Sequence, residues 1–205
     1  MRRTTPFSDD HGFDRGSPID RYYIERFLAQ HRADIRGHVL EAGDRRYTER
    51  YGSGVRQSDI LDVTPTNPLA TIVADLTAAN AIPGDQFDCF VLTQTLHLVY
   101  DVPAALRHAH RILRPGGVLL ATAPAIGRIA NPSDGTTYWR FTNASCARLF
   151  SEAFGAENVT VASHGSVLTC VTHLLGLAYE EIGPAELAFE DPRFPVVVTV
   201  RAVKQ

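Results

Sequence analysis

The sequence predicts an α/β fold built on an open, mostly parallel sheet. Two short apolar runs, Phe90-Val91-Leu92 and Val118-Leu119-Leu120, do not alternate with polar residues. Strands covered on both faces have that pattern. Between them Asp101 is placed to cap a helix, on which Leu106, Ala109 and Leu113 share one face. Pro115-Gly116-Gly117 is expected to end that helix, because proline cannot continue it and glycine accepts a left-handed turn. Strand, helix and strand in this order make a crossover of an open sheet, where ligands bind beyond the carboxyl ends of the strands.

The remaining elements follow in chain order. Met1 to Gly16 is polar and reads as a loose arm or a lid, leaving 17–205 as one domain. Ser17-Pro18 is expected to open a helix with the serine as cap and Ile19, Tyr23, Phe27 and Leu28 as its apolar face, up to about Ala33. The first strand is His38 to Ala42, followed by the turn Gly43-Asp44-Arg45-Arg46 and a short helix, Tyr47 to Tyr51. The second strand lies near Val55 to Leu61, the third at about Thr71 to Ala74, and Ile82-Pro83-Gly84-Asp85 turns the chain into the fourth. Pro124 to Tyr138 reads as a long loop. Thr142 caps a helix whose apolar face is Leu149, Phe150, Ala153 and Phe154, and Gly155 ends it. A short strand, Val159 to Ala162, precedes a helix over Val167 to Ile182 with Leu168, Val171, Leu174, Leu175 and Ala178 buried and Glu180-Glu181 at its solvated end. Val196 to Val203 is the last strand.

Composition narrows the function classes. The 205 residues suit a single domain with a full core. A net charge of −3 gives no electrostatic reason to bind nucleic acid or an anionic membrane. The eight histidines are scattered without zinc spacing, so no metal is expected. Cys89, Cys146 and Cys170 are odd in number and far apart, and read as free thiols of a reducing compartment. With no long apolar run and no signal-peptide core, a cytoplasmic protein is expected, as monomer or homodimer.

FDCFVLTQTLHLVYD and RILRPGGVLLATAP, with VLEAGD and ADLTAANAIP upstream, resemble the class I S-adenosylmethionine (SAM) methyltransferases, and among them the small single-domain methyltransferase-11-like branch. The resemblance runs from about Ile19 to the C-terminus and is firmest from Val39 to Pro124. It implies a Rossmann-like seven-stranded sheet with an antiparallel last strand, helices on both faces and a helical N-terminal segment. It implies SAM as cofactor and methyl transfer as the reaction.

Site residues are carried over position by position. The family's acidic residue followed by Gly-x-Gly-x-Gly stands here as Glu41-Ala42-Gly43-Asp44-Arg45-Arg46, with one glycine left. Backbone N–H groups of such a turn seat a charged tail, and later glycines permit close approach. Asp59 is the better match for the carboxylate that takes the ribose hydroxyls, with Asp62 as alternative. Asp75 and Leu76 match the adenine position. Thr93, Gln94 and Thr95 follow the fourth strand and are expected to line the cleft. Tyr22 on the first helix is expected to close over the sulfonium.

On the acceptor side, Tyr138, Trp139 and Arg140 are expected to bind substrate by stacking and charge pairing. His97, His164 and His173 are candidate bases, needed only where the acceptor must lose a proton. The family's usual histidine position is occupied by leucine, with His97 one residue earlier. The expected acceptor is a small molecule, foremost the hydroxyl of a sugar or natural-product intermediate. Two other readings stay open: a catalytically silent SAM-binding scaffold, suggested by the eroded glycine turn, and a nicotinamide oxidoreductase, which the missing Gly-x-Gly-x-x-Gly opposes.

Overall fold

Residues 3–129, 133 and 135–205 are described by the computed structural model of the chain. The fold is a seven-stranded sheet in the order β3-β2-β1-β4-β5-β7-β6. The strands are β1 (Gly37–Ala42), β2 (Val55–Asp62), β3 (Ile72–Val73), β4 (Phe87–Thr93), β5 (Leu113–Pro124), β6 (Val159–His164) and β7 (Val197–Val203). Only β7 runs against its neighbours, pairing antiparallel with both β5 and β6. The apolar runs of β4 and β5 face each other in register, Phe90 opposite Leu119 and Val91 opposite Leu120, with all four side chains fully buried.

Two apolar clusters flank the sheet. One gathers Leu106, Ala109 and Ile112 of α3 (Val102–Ile112) with Cys146, Phe150 and Phe154 of α4 (Asn143–Phe154). The other gathers Ile19, Tyr23, Phe27 and Leu28 of α1 (Ile19–Gln30) with Cys170 of α5 (Val167–Leu174). The short helices α2 (Arg46–Tyr51) and α6 (Pro184–Ala188) complete the set. The expected caps of α3 and α4 are in place: Asp101 accepts from Ala104 N, and Thr142 exchanges hydrogen bonds with Ser145 in a capping box. All three cysteines are unpaired and buried. No helix among the described residues is long and apolar enough to cross a membrane.

Four details differ from expectation. The helix α3 ends at Ile112, ahead of Pro115, because Leu113 already pairs with Phe87. Pro115-Gly116-Gly117 instead forms the irregular opening of β5, where Gly116 N donates to Lys204 O and Lys204 N to Gly117 O. At α1 the cap position is Pro18, not Ser17, whose N–H donates to Glu180 Oε2.

The third difference is α5, which stops at Leu174 and shows its apolar face to solvent. Leu168, Val171 and Leu174 are each at least 40% exposed, and the buried side is Thr169, Cys170 and Thr172. Ala178 is buried, but beyond the helix. What replaces the rest of that helix is a docking edge for the N-terminal arm. Phe7 N donates to Leu175 O, Tyr179 N donates to Ser17 O, and Arg15 pairs with Glu181. A Cβ on Gly176, which sits at φ +70°, would come within 2.7 Å of Ser8 O, so only glycine lets the arm lie this close. The arm thus packs on residues 175–181, and Glu180 and Glu181 hold it rather than a solvated helix end. Met1 and Arg2 of the arm, and Ala130, Asn131, Pro132 and Asp134 of the loop after β5, lie outside the described residues.

The fourth difference is the length of β2, which runs to Asp62 and leaves Asp59 in mid-strand opposite Leu40. Its carboxylate accepts from His38 Nε2 at 2.6 Å, Gln57 Nε2 at 3.1 Å and Thr71 Oγ1 at 2.8 Å. Partial burial raises its pKa, the bonds from His38 and Thr71 lower it, and the net is a value below the ordinary 3.8. A carboxylate shifted down stabilises the fold in full above its ordinary pKa and loses that contribution as pH falls through the folded value. Asp59→Asn is therefore expected to lower the urea midpoint at pH 7, with a gap to wild type that narrows toward pH 3. An equal gap at both pH values would refute the linkage. Thr142→Ala removes the α4 cap and should cost about 1 kcal/mol in the same assay.

Candidate functional site

The strand order reverses between β1 and β4, and a cleft opens beyond their carboxyl ends. A cavity of about 550 Å³ occupies it. Its floor is Ala42 and Gly43 after β1, and its walls include Asp62, Asp75, Leu76, Thr95 and Leu98. Asp62 sits at the last position of β2, where each oxygen holds one partner, Thr64 N at 2.9 Å and Asn67 Nδ2 at 2.7 Å. Asp75 caps the single turn Leu76–Ala78 with one oxygen, which accepts from Thr77 N and Oγ1 at 2.8 Å each.

The turn after β1 is pinned from three sides. Gly43 N donates to Leu61 O, Asn67 Nδ2 donates to Gly43 O, and Arg46 Nε donates to Asp44 Oδ2 at 2.6 Å. Gly43 has φ +85° and nothing within 4 Å of where a Cβ would stand, so its backbone faces open space. Glu41 is 1% exposed and does not line the cavity. It accepts from Tyr47 N at 3.1 Å, Thr48 N at 2.8 Å and Thr48 Oγ1 at 2.7 Å, which ties the first turn of α2 to β1. Burial raises its pKa, and these hydrogen bonds work against the rise.

A second chamber of about 260 Å³ adjoins the first, with Leu98 in the wall of both. Gln94 and His97 reach it from the β4 side, Arg128 and Arg140 from the segment after β5, and His173 from α5. The arm and the start of α1 close it with His11, Phe13, Asp20 and Arg21. Gln94 takes a left-handed φ of +46°, held by its N–H to Thr122 O at 3.0 Å. Burial, with Arg140 nearby, pushes the His97 imidazole down to about 4. Burial lowers His173 as well, and burial with Arg128 lowers His11. All three imidazoles are shifted toward the neutral form.

The expected site residues divide by place. Gly43, Asp62, Asp75, Leu76, Thr95 and Tyr138 line the larger cavity, and Gln94, His97, Arg140 and His173 the smaller. Thr93, Asp59 and Tyr22 line neither. Tyr22 packs on Tyr23 and Tyr179, because the helix turn that faces the cleft carries Asp20 and Arg21. His164 is placed outside both cavities, between Glu190 at 2.9 Å and Thr199 at 3.1 Å and stacked on Tyr23. Trp139 donates from Nε1 to Val99 O at 3.0 Å and stacks on Tyr100, so it braces the rim of the larger cavity. Arg140 spends its guanidinium on the carbonyls of Gly127, Arg128 and Trp139. His11, Phe13, Arg21, Leu98, Tyr100 and Arg128 are lining residues that the sequence did not single out. The polar arm was the one signal for the first two.

Residues 34–121 match the family profile described as "Methyltransferase domain", Methyltransf_11. No curated protein shows significant sequence similarity to the chain. Similar solved structures include a SAM-dependent methyltransferase from Archaeoglobus fulgidus, 12% identical, with 90% of this chain and 94% of that one covered and a TM-score of 0.59. Another is the 1,6-didemethyltoxoflavin-N1-methyltransferase of Burkholderia thailandensis, bound to 1,6-didemethyltoxoflavin and S-adenosylhomocysteine. It is 16% identical over 96% of this chain and 83% of that one, with a TM-score of 0.58. A third is the [4+2]-cyclase SpnF, 15% identical over 100% of this chain and 87% of that one, with a TM-score of 0.56. The methyltransferase profile falls on β1 to β5, and with this sheet order the chain has the Rossmann-like fold of the class I SAM-dependent methyltransferases that it resembles.

Proposed function

We propose that the larger cavity seats the cofactor and that the smaller chamber holds a small-molecule acceptor, methylated on a hydroxyl. The observation that carries this reading is the pair of adjoining chambers at the switch point, with carboxylates in one and neutral imidazoles in the other. Asp62, at the strand end, takes the ribose hydroxyls in place of mid-strand Asp59. Asp75 and Leu76 take the adenine, and the open backbone at Gly43 admits the amino-acid tail. Bound there, SAM supplies an electrophilic methyl group. The chain's own part is to orient the acceptor beside Leu98, keep water out with the arm and receive the hydroxyl proton on His97 or His173. The toxoflavin-type methyltransferase among the similar structures acts on a small molecule, which supports an acceptor of that class.

A second reading, a SAM-fold protein without methyl transfer, is favoured by the single glycine of the Gly43 turn and by the cyclase among the similar folds. It requires cofactor affinity without turnover on any acceptor. Calorimetric titration with S-adenosylhomocysteine is expected to show micromolar binding, with none to NAD. Asp62→Ala should weaken that binding by about 1.5–3 kcal/mol. Asp59→Ala, once shown to be folded, should leave it within about twofold. The opposite ranking would return the ribose to Asp59.

A further inference from the structure

Six buried side-chain polar atoms among the described residues have no hydrogen-bond partner, and four of them belong to residues lining the smaller chamber. They are Arg21 Nε, Gln94 Nε2, His97 Nδ1 and His173 Nδ1. Leaving such a group unpaired costs on the order of 1–3 kcal/mol, so folds rarely gather them without a ligand to satisfy them. Arg21 Nε and Gln94 Nε2 are donors only, and a neutral imidazole Nδ1 donates in one of its tautomers. The walls of the chamber are therefore rich in donors and short of acceptors.

The charges agree. Arg21, Arg128 and Arg140 line the chamber against one carboxylate, Asp20. Arg140 is occupied by backbone carbonyls and serves to hold the loop. Arg128 donates from Nε to His11 Nε2 at 3.2 Å, and Arg21 Nη1 lies 3.9 Å from Asp20 Oδ2. A guanidinium in a partly desolvated pocket binds carboxylate or phosphate oxygens through paired, charge-assisted bonds. The chamber's size limits the ligand to a small molecule.

We propose that the acceptor chamber recognises an anionic oxygen group, a carboxylate or a phosphate ester, held by Arg128 and Arg21, so that the methyl acceptor is a small organic anion. This deepens the acceptor reading above and rests on it for the anion's role, though not for its binding. Asp20 is then the brake on anion affinity, being the one opposing charge.

The test uses the full chain, with and without saturating S-adenosylhomocysteine. Sodium phosphate, benzoate, neutral benzamide and methylammonium are titrated by calorimetry and by the imidazole NMR signals. Benzoate or phosphate is expected to bind at least about tenfold more tightly than benzamide and to shift His97 and His173. Whichever of the two binds more tightly names the source of the anionic group. Arg128→Gln should weaken the binding about tenfold and Asp20→Asn should strengthen it, while S-adenosylhomocysteine affinity stays within about twofold. Opposite signs from two substitutions cannot come from loss of fold. Equal binding of benzamide and both anions overturns the proposal, as does methylammonium binding that Asp20→Asn abolishes. Anion binding without any S-adenosylhomocysteine binding would uphold the anion site and sink the cofactor seat.

Discussion

The carboxylate of Glu41 fixes the turn at the floor of the larger cavity. It lies buried at the end of β1 and takes three hydrogen bonds from the first turn of α2. Backbone N–H groups at a helix start have no partner within the helix, and a negative charge is favoured there. Burial alone would drive Glu41 to protonate, and the bonds from Tyr47 and Thr48 oppose it. The six-residue helix is too short to hold itself, so this clamp is what fixes it against the strand. With both ends of the turn tied, Gly43 between them presents bare backbone to the cavity even though the usual second and third glycines are replaced by Arg45 and Tyr47. The acidic residue two positions before that glycine therefore holds the turn from outside the cavity lining.

The sheet was legible in the sequence because its strands are covered on both faces. Phe90 to Leu92 and Val118 to Leu120 are apolar without alternation for that reason, and their pairing follows the right-handed crossover rule. Strand ends were harder to read. In β2 the polar run Arg56 to Asp59 comes before the buried Ile60 and Leu61, so Asp59 lies in mid-strand and Asp62 stands at the strand end. The α5 segment misled in the opposite way. Its apolar residues recur at helical spacing, yet Leu168, Val171 and Leu174 face outward, because a capping box of Ser166 and Thr169 and the bond from Cys170 Sγ to Phe194 O turn the small polar side inward. Periodicity identifies a face but does not say which neighbour that face meets.

The smaller chamber was the least legible part. Its residues come from the arm, the first turn of α1, the loops after β4 and β5, and α5. No spacing rule joins His11 to His97, Arg128 and His173. The sheet and α5 place the last three, and the arm's attachment to residues 175–181 adds His11; that attachment depends on Gly176 and on Glu180 and Glu181 at what reads as an ordinary helix end. The Tyr138-Trp139-Arg140-Phe141 run was legible as a cluster and not as a set of roles. The run belongs to no helix or strand, so no period fixes its faces: Tyr138 lines one cavity, Arg140 the other, and Phe141 is buried in the core.

The two kinds of basic residue in the chamber support each other. A histidine that must receive a proton needs to be neutral at rest, and a histidine beside a bound anion tends to be charged instead. Burial decides the first condition for His97, and the guanidinium of Arg140 adds to it. Arg128 does the same for His11 by donating to Nε2, which leaves that nitrogen no proton to hold. An anion entering between Arg128 and Arg21 would be neutralised by groups that cannot lose their charge, and so would not draw protons onto the imidazoles. Arginine fixes the anion while histidine keeps its lone pair, a division of labour that lysine would share less well because its own pKa falls on burial.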